Sequence, residues 1–207
     1  MSELFLSAFM TLFVVIDPPG CAPIYAALTK GTPGRQVVNI ALRACLIAAA
    51  ILLVFALFGE QLLGALHIEL NSFRIAGGIM LFIIALEMVF EKRTQRREER
   101  AEKIIDTPEA EDVTVFPIAI PMIAGPGSIA TVMLLMSRSE GTEATLVILA
   151  ALAAVLALTF LALIAAGPLL RILGAKVEAV ITRILGLLLA ALAAQYIVDG
   201  VKQVFVA

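Results

Sequence analysis

Histidine is almost missing from this chain: His67 is the only one in 207 residues. A histidine-rich metal or catalytic cluster is therefore excluded, and neither H-E-x-x-H nor G-x-S-x-G occurs. The two cysteines, Cys21 and Cys45, both lie in apolar stretches. Cysteine behaves there as a small hydrophobe, so free thiols are expected and not a disulfide framework. Charge is scarce as well. Only 15% of residues are Asp, Glu, Lys or Arg, and the formal net charge is −2. That balance gives no electrostatic footprint for a nucleic acid. No basic segment precedes the first apolar run and no clear cleavage site follows it, so the N-terminus does not read as a signal peptide. The expectation is a protein that is not an enzyme and carries no cofactor or metal.

What the chain does have is apolar length. Hydrophobic residues make up 61% of it, against about 45–50% in a soluble domain, and the mean hydropathy is +1.04. About 20 predominantly apolar residues cross a bilayer core of about 30 Å. Six stretches qualify: 4–28, 37–58, 73–90, 113–136, 145–170 and 180–198. The expected fold is an all-α membrane protein with six transmembrane helices. The expected units are a first three-helix repeat over 1–91, a charged linker over 92–112, and a second three-helix repeat over 113–207.

The few charges are unevenly spread. Lys30, Arg35, the six basic residues from Lys92 to Lys103, Arg171 and Lys176 fall on one side of the six spans; Arg138 and Lys202 fall on the other. Basic loops stay in the cytoplasm. Both termini are then expected outside and the linker inside a cell (inner) membrane. The linker itself reads as solvated, or as an extension of the third helix through Glu and Arg at one-turn spacing.

Two stretches contradict the helices that contain them. Asp17-Pro18-Pro19-Gly20 interrupts the first span, and Ala124-Gly125-Pro126-Gly127 interrupts the fourth. Proline lacks an N–H and clashes with the preceding turn, and a carboxylate at bilayer depth costs at least about 2.5–3.5 kcal/mol. The two motifs correspond at an offset of 107 (Pro19 to Pro126). Phe73-Arg74-Ile75-Ala76-Gly77 corresponds to Thr182-Arg183-Ile184-Leu185-Gly186 at 109 (Arg74 to Arg183), and Leu62-Leu63 finds Leu169-Leu170. Three spans per half invert the second half in the membrane, the symmetry of many secondary transporters. Each break then lies about 20 Å in from its own face, so the two pass one another near the midplane. Arg74 is expected near the outer face and Arg183 near the inner one, each at the start of its helix.

A broken helix offers carbonyls on one side of the gap and N–H groups on the other. In lipid these need protein, water or ligand, and a zwitterion satisfies both. The candidate substrate-binding residues are Asp17, Pro19, Gly20, Cys21, Gly125, Pro126, Gly127, Ser128 and Thr131. Asp17 carries two compatible readings. It is an N-cap ahead of Pro18, or it is a ligand for a substrate ammonium, sodium ion or proton. Ser128 and Thr131 either back-bond to their own helix or turn hydroxyls to the cavity. Asn39 and Arg43 share a face of the second span and are candidate pathway residues. Gln195 is another, and it can also bridge helices. Glu87 and Asp199 sit at helix C-ends, where the dipole disfavours them; Arg74 and Arg183 are candidate partners.

These residues match a known pattern. Ile16-Asp17-Pro18-Pro19-Gly20 with Pro23-Ile24, Phe73-Arg74-Ile75-Ala76-Gly77-Gly78, Phe116-Pro117 through Pro121 with Ala124-Gly125-Pro126-Gly127, Arg183-Ile184-Leu185-Gly186, and Gln195 to Gly200 together resemble the MarC family of bacterial and archaeal integral membrane proteins. Many members have Asn after the first glycine; Cys21 stands there in this chain. The resemblance implies six spans and gradient-driven transport of small neutral amino acids such as glycine and alanine, with proton or sodium as coupling ion. The alternatives are an exporter of another small polar solute or ion, and a non-transporting membrane scaffold or sensor.

Overall fold

A computed structural model describes residues 1–93, 95, 96, 99, 113–137, 139 and 141–206, with side chains left out at 168–176, 178 and 206. Most of the linker expected over 92–112 lies outside the described residues, as do Arg138 and the side chains of Leu169, Leu170, Arg171 and Lys176. The described residues fold into helices without a strand. These are α1 (Ser2–Ile16), α2 (Pro18–Leu28), α3 (Gly34–Ala65), α4 (Leu70–Val89), α5 (Thr114–Ile123), α6 (Pro126–Met136), α7 (Gly141–Ile164) and α8 (Ala166–Val206).

Five stretches are long and apolar enough to cross a membrane: Ser2–Leu28, Gly34–Ala65, Leu70–Val89, Gly141–Ile164 and Ala179–Phe205. A sixth follows if α5 and α6, bent by 50° at their junction, count as one span. Among the described residues this is the one pair bent so strongly. The two expected breaks are therefore unlike. The first is a kink of one residue between regular helices. In the second, the arm before the gap is itself irregular: Phe116 (φ −123, ψ 125) and Ile120 (φ −129, ψ 126) leave the helical region. Each precedes a proline in a cis peptide, and a residue before proline is pushed to extended backbone by the ring.

One expected boundary moves. The fifth span does not run to 170; α7 ends at Ile164, and α8 already begins at Ala166. Gly167 and Pro168 occupy the first turn of α8, where a missing proline N–H breaks no helical bond.

Helix contacts follow from small residues. On α3, Ala41, Ala44, Cys45, Ala48, Leu52, Ala56 and Gly59 form the buried face at helical spacing. Leu42, Leu46, Val54, Leu57 and Phe58 are exposed. The larger side chains thus face outward and the smaller ones inward, as expected where the surrounding solvent is hydrocarbon and contact depends on close backbone approach. α3 lies against α5 and α6, and α7 lies against α1 and α2. α4 and α8 form the most extensive pair. Gly78 of α4 meets Ala193 and Ile197, Gly186 of α8 meets Ala85 and Met88, and Gly200 meets Asn71 and Ile75. That order makes the pair antiparallel. Both of its ends are tied by arginine: Arg74 of α4 donates to Gln203 of α8, and Arg183 of α8 donates to Glu91, just past α4, at 2.5 Å.

Candidate functional site

The first break is built by Asp17. Its backbone is left-handed (φ 60, ψ 64), and its carboxylate accepts the Gly20 N–H at 3.1 Å. Asp17 is 1% exposed. A Cβ on Gly20 would collide with that carboxylate, so the aspartate and the glycine require each other. With the Gly20 amide taken, the Ile16 carbonyl receives the Cys21 thiol instead, at 3.5 Å.

One carbonyl further back, the break reaches outside its own span. In an unbroken helix the amide of residue 19 would donate to Val15. Residue 19 is proline and has no amide. The Val15 carbonyl is filled by Arg93 instead, whose Nη2 donates at 2.8 Å. Its Nη1 lies 3.1 Å from Met88 Sδ. Arg93 belongs to the stretch expected to be a solvated linker. Sequence reading missed it, although two adjacent prolines already signal carbonyls in need of a donor.

The second break has a different character. Gly125 is the N-cap of α6 and has no side chain to cap with. A Cβ there would strike the Pro121 carbonyl. Pro126 has no amide, and the Ile129 amide donates to Gly125 at 3.0 Å. The helix therefore starts with the amides of Gly127 and Ser128 as its bare positive end. Ser128 is 2% exposed and Thr131 is fully buried. Neither hydroxyl back-bonds to its own helix among the described hydrogen bonds, and the Thr131 hydroxyl has no partner among the described residues.

A cavity of about 430 Å³ opens onto this uncapped end. Gly125, Pro126, Gly127 and Ser128 form one wall, Pro117, Pro121 and Met122 of α5 a second, and Met80, Ile83, Ile84 and Glu87 of α4 a third. Arg93 and Arg96 complete it. Arg96 Nη1 lies 2.7 Å from Glu87 Oε1. The two breaks also approach each other: a Cβ on Gly127 would lie 3.4 Å from Val15 Cγ1.

The remaining expected site residues are distributed as follows. Asp17, Gly20 and Cys21 are buried and Pro19 is half-buried beside the first break, outside the cavity wall. Asn39 and Arg43 are exposed on α3, on the face turned away from the core. Gln195 is also exposed, and its amide donates to Asp199 one turn on at 2.7 Å, so it does not bridge helices. Of the two helix-end acids, Glu87 pairs with Arg96 and not with Arg74 or Arg183, while Asp199 accepts from Gln195. Among the described residues no group of His, Cys, Asp or Glu is placed to hold a metal.

An all-helical integral membrane protein of several spans, with a charged cavity at a broken helix, is the class these features define. A model of the MarC family of integral membrane proteins matches residues 2–205, and the chain belongs to that family. It is 36% identical to the UPF0056 membrane protein MJ1677 of Methanocaldococcus jannaschii, over 97% of both chains. It is 35% identical to the UPF0056 membrane protein YvbG of Bacillus subtilis, over 99% of this chain and 97% of that one. It is 34% identical to the UPF0056 inner membrane protein YhgN of Escherichia coli K12, over 98% of both. No solved structure matches it.

Proposed function

We propose that this protein is a secondary transporter of small neutral amino acids, coupled to protons or sodium, working by alternating access between two inverted three-helix repeats. The observation that carries the reading is a cavity that reaches the bare start of α6 from one side, with charged groups along its wall. Secondary transporters place their sites at such discontinuous helices.

The helix contacts support the repeat. Exchanging the halves turns the α7 contact with α1 and α2 into the α3 contact with α5 and α6, and returns the α4–α8 pair to itself. The two arginine ties at the ends of α4 and α8 exchange in the same way. So do the cavities. The counterpart of the charged cavity lies between α1 and α8, lined by Ser7, Met10, Thr11, Val14, Leu188, Leu189 and Leu192. It holds about 280 Å³ and stops short of Asp17. One half open to its break and the other closed is the asymmetry that alternating access requires.

The test is uptake of labelled glycine and alanine into proteoliposomes under imposed proton or sodium gradients. Gradient-driven accumulation is expected with one of the two ions. Absence of flux with either ion, across a panel of small amino acids, overturns the reading.

A further inference from the structure

The charged cavity holds more polar chemistry than its fold requires. Arg93 has a structural task on the Val15 carbonyl. Ser128 does not: the residue is 2% exposed, its side chain lines the cavity, and its hydroxyl makes no hydrogen bond among the described residues. It sits beside the uncapped amides that open α6. An unbonded hydroxyl on a cavity wall beside a bare helix N-terminus is a place for an anionic group. Glu87 projects into the same cavity from the end of α4, near the helix terminus that disfavours its charge. Its only described partner is Arg96, whose side chain is 56% exposed while that of Glu87 is 19% exposed. An ion pair with one partner so exposed is weak and exchangeable. Arg96 can swing into water with little loss, whereas Glu87 is then left needing a cation.

We propose that Glu87 binds the ammonium of a zwitterionic substrate whose carboxylate meets Ser128 and the first amides of α6, with Arg96 occupying Glu87 while the site is empty. This rests on the transporter reading and adds to it the residues that recognise the two ends of the amino acid. Arg96 is then a competitor of the substrate, and Glu87 is its ligand. The two halves of one ion pair therefore respond in opposite directions. A salt bridge that only holds the fold together makes both substitutions act alike.

The experiment measures the KM for alanine in proteoliposomes and, in parallel, binding of labelled alanine to detergent-purified protein. Propionate and ethylamine serve as single-ended competitors. Glu87→Gln is expected to raise the alanine KM about tenfold, the scale of one charge-assisted hydrogen bond, and to bring alanine level with propionate. Arg96→Gln is expected to lower the KM or leave it unchanged. Ser128→Ala is expected to weaken alanine and propionate together, and ethylamine least. Equal shifts in Glu87→Gln and Arg96→Gln overturn the proposal, as does an unchanged KM in Glu87→Gln. If Glu87→Gln does not fold, a tenfold higher KM in Arg96→Gln alone overturns it. Alanine flux that ignores Glu87 keeps the transporter and removes this site. Alanine binding with the predicted variant pattern but no flux keeps the site and removes the transporter.

Discussion

Asp17 and Gly20 act as one unit. The aspartate caps α2 with a left-handed backbone, and the absent Cβ on Gly20 leaves its carboxylate room. Asparagine also caps and tolerates that backbone. Asp17→Asn should therefore unfold within a degree or two of wild type in detergent. Asp17→Ala should lose about 2 kcal/mol, from the cap and from left-handed strain together. Gly20→Ala should cost a similar amount, and the double variant less than the sum, because each change already ruins the same contact. Thermal midpoints of the four proteins check this; additive losses would separate the two residues. Arg93 makes a second such unit with Val15. Arg93→Ala leaves a fully buried carbonyl without its donor, at a cost of about 1–3 kcal/mol, and Arg93→Lys should recover part of that stability. Asp17 was legible in the sequence because its cap is local, made within four residues. Arg93 was not, since its partner lies 78 positions away and only tertiary contact selects it from among six linker bases.

At the scale of elements, composition and periodicity located the spans well, because a bilayer sets helix length directly. They failed where a helix boundary carries no polar signal. The run Ala165-Ala166-Gly167-Pro168-Leu169-Leu170 is apolar throughout, so nothing in its hydropathy separates α7 from α8. The bend between α5 and α6 had a signal, in Pro117 and Pro121, whose effect on the residues before them is steric and local. The antiparallel α4–α8 pair is the element-level feature most open to test. A Cβ on Gly78 would lie 2.7 Å from Ile197 Cγ1 and 3.0 Å from the Ala193 carbonyl; one on Gly186 would lie 3.1 Å from the Ala85 carbonyl. Backbone cannot yield as a flexible side chain does. Gly78→Leu and Gly186→Leu should each cost about 1–3 kcal/mol through overpacking. Gly64→Leu, with open space at its Cβ, should cost far less. A thermal midpoint for Gly64→Leu as low as for the other two would remove the close α4–α8 contact as the cause.

For the whole molecule, the proposed transport cycle exchanges the roles of the two halves. The half containing α6 presents its break to a cavity, and the half containing α2 keeps its break closed behind the shallower cavity between α1 and α8. In a state of opposite access, that second cavity deepens toward Asp17 as the first one closes over Ser128. The two natural cysteines are fully and nearly buried, so a background lacking both permits single-cysteine labelling with a membrane-impermeant thiol reagent. In the state described here, Ser128→Cys, on the wall of the charged cavity, should react from the side on which Glu91→Cys reacts, while Thr11→Cys, in the smaller cavity that stops short of the first break, should react slowly from either side. Conditions that favour the opposite state should reverse the pattern: Ser128→Cys becomes protected and Thr11→Cys reacts from the other face. Both rates must move, and in opposite directions, because one rigid-body exchange governs both cavities. If Ser128→Cys becomes protected while Thr11→Cys is unchanged, the substrate closes a local lid, and the two halves are not exchanging. The same labelling fixes the orientation of the chain. Glu91→Cys reporting from the cytoplasm agrees with the basic residues gathered between Lys92 and Lys103, and the charged cavity is then the inward-facing one.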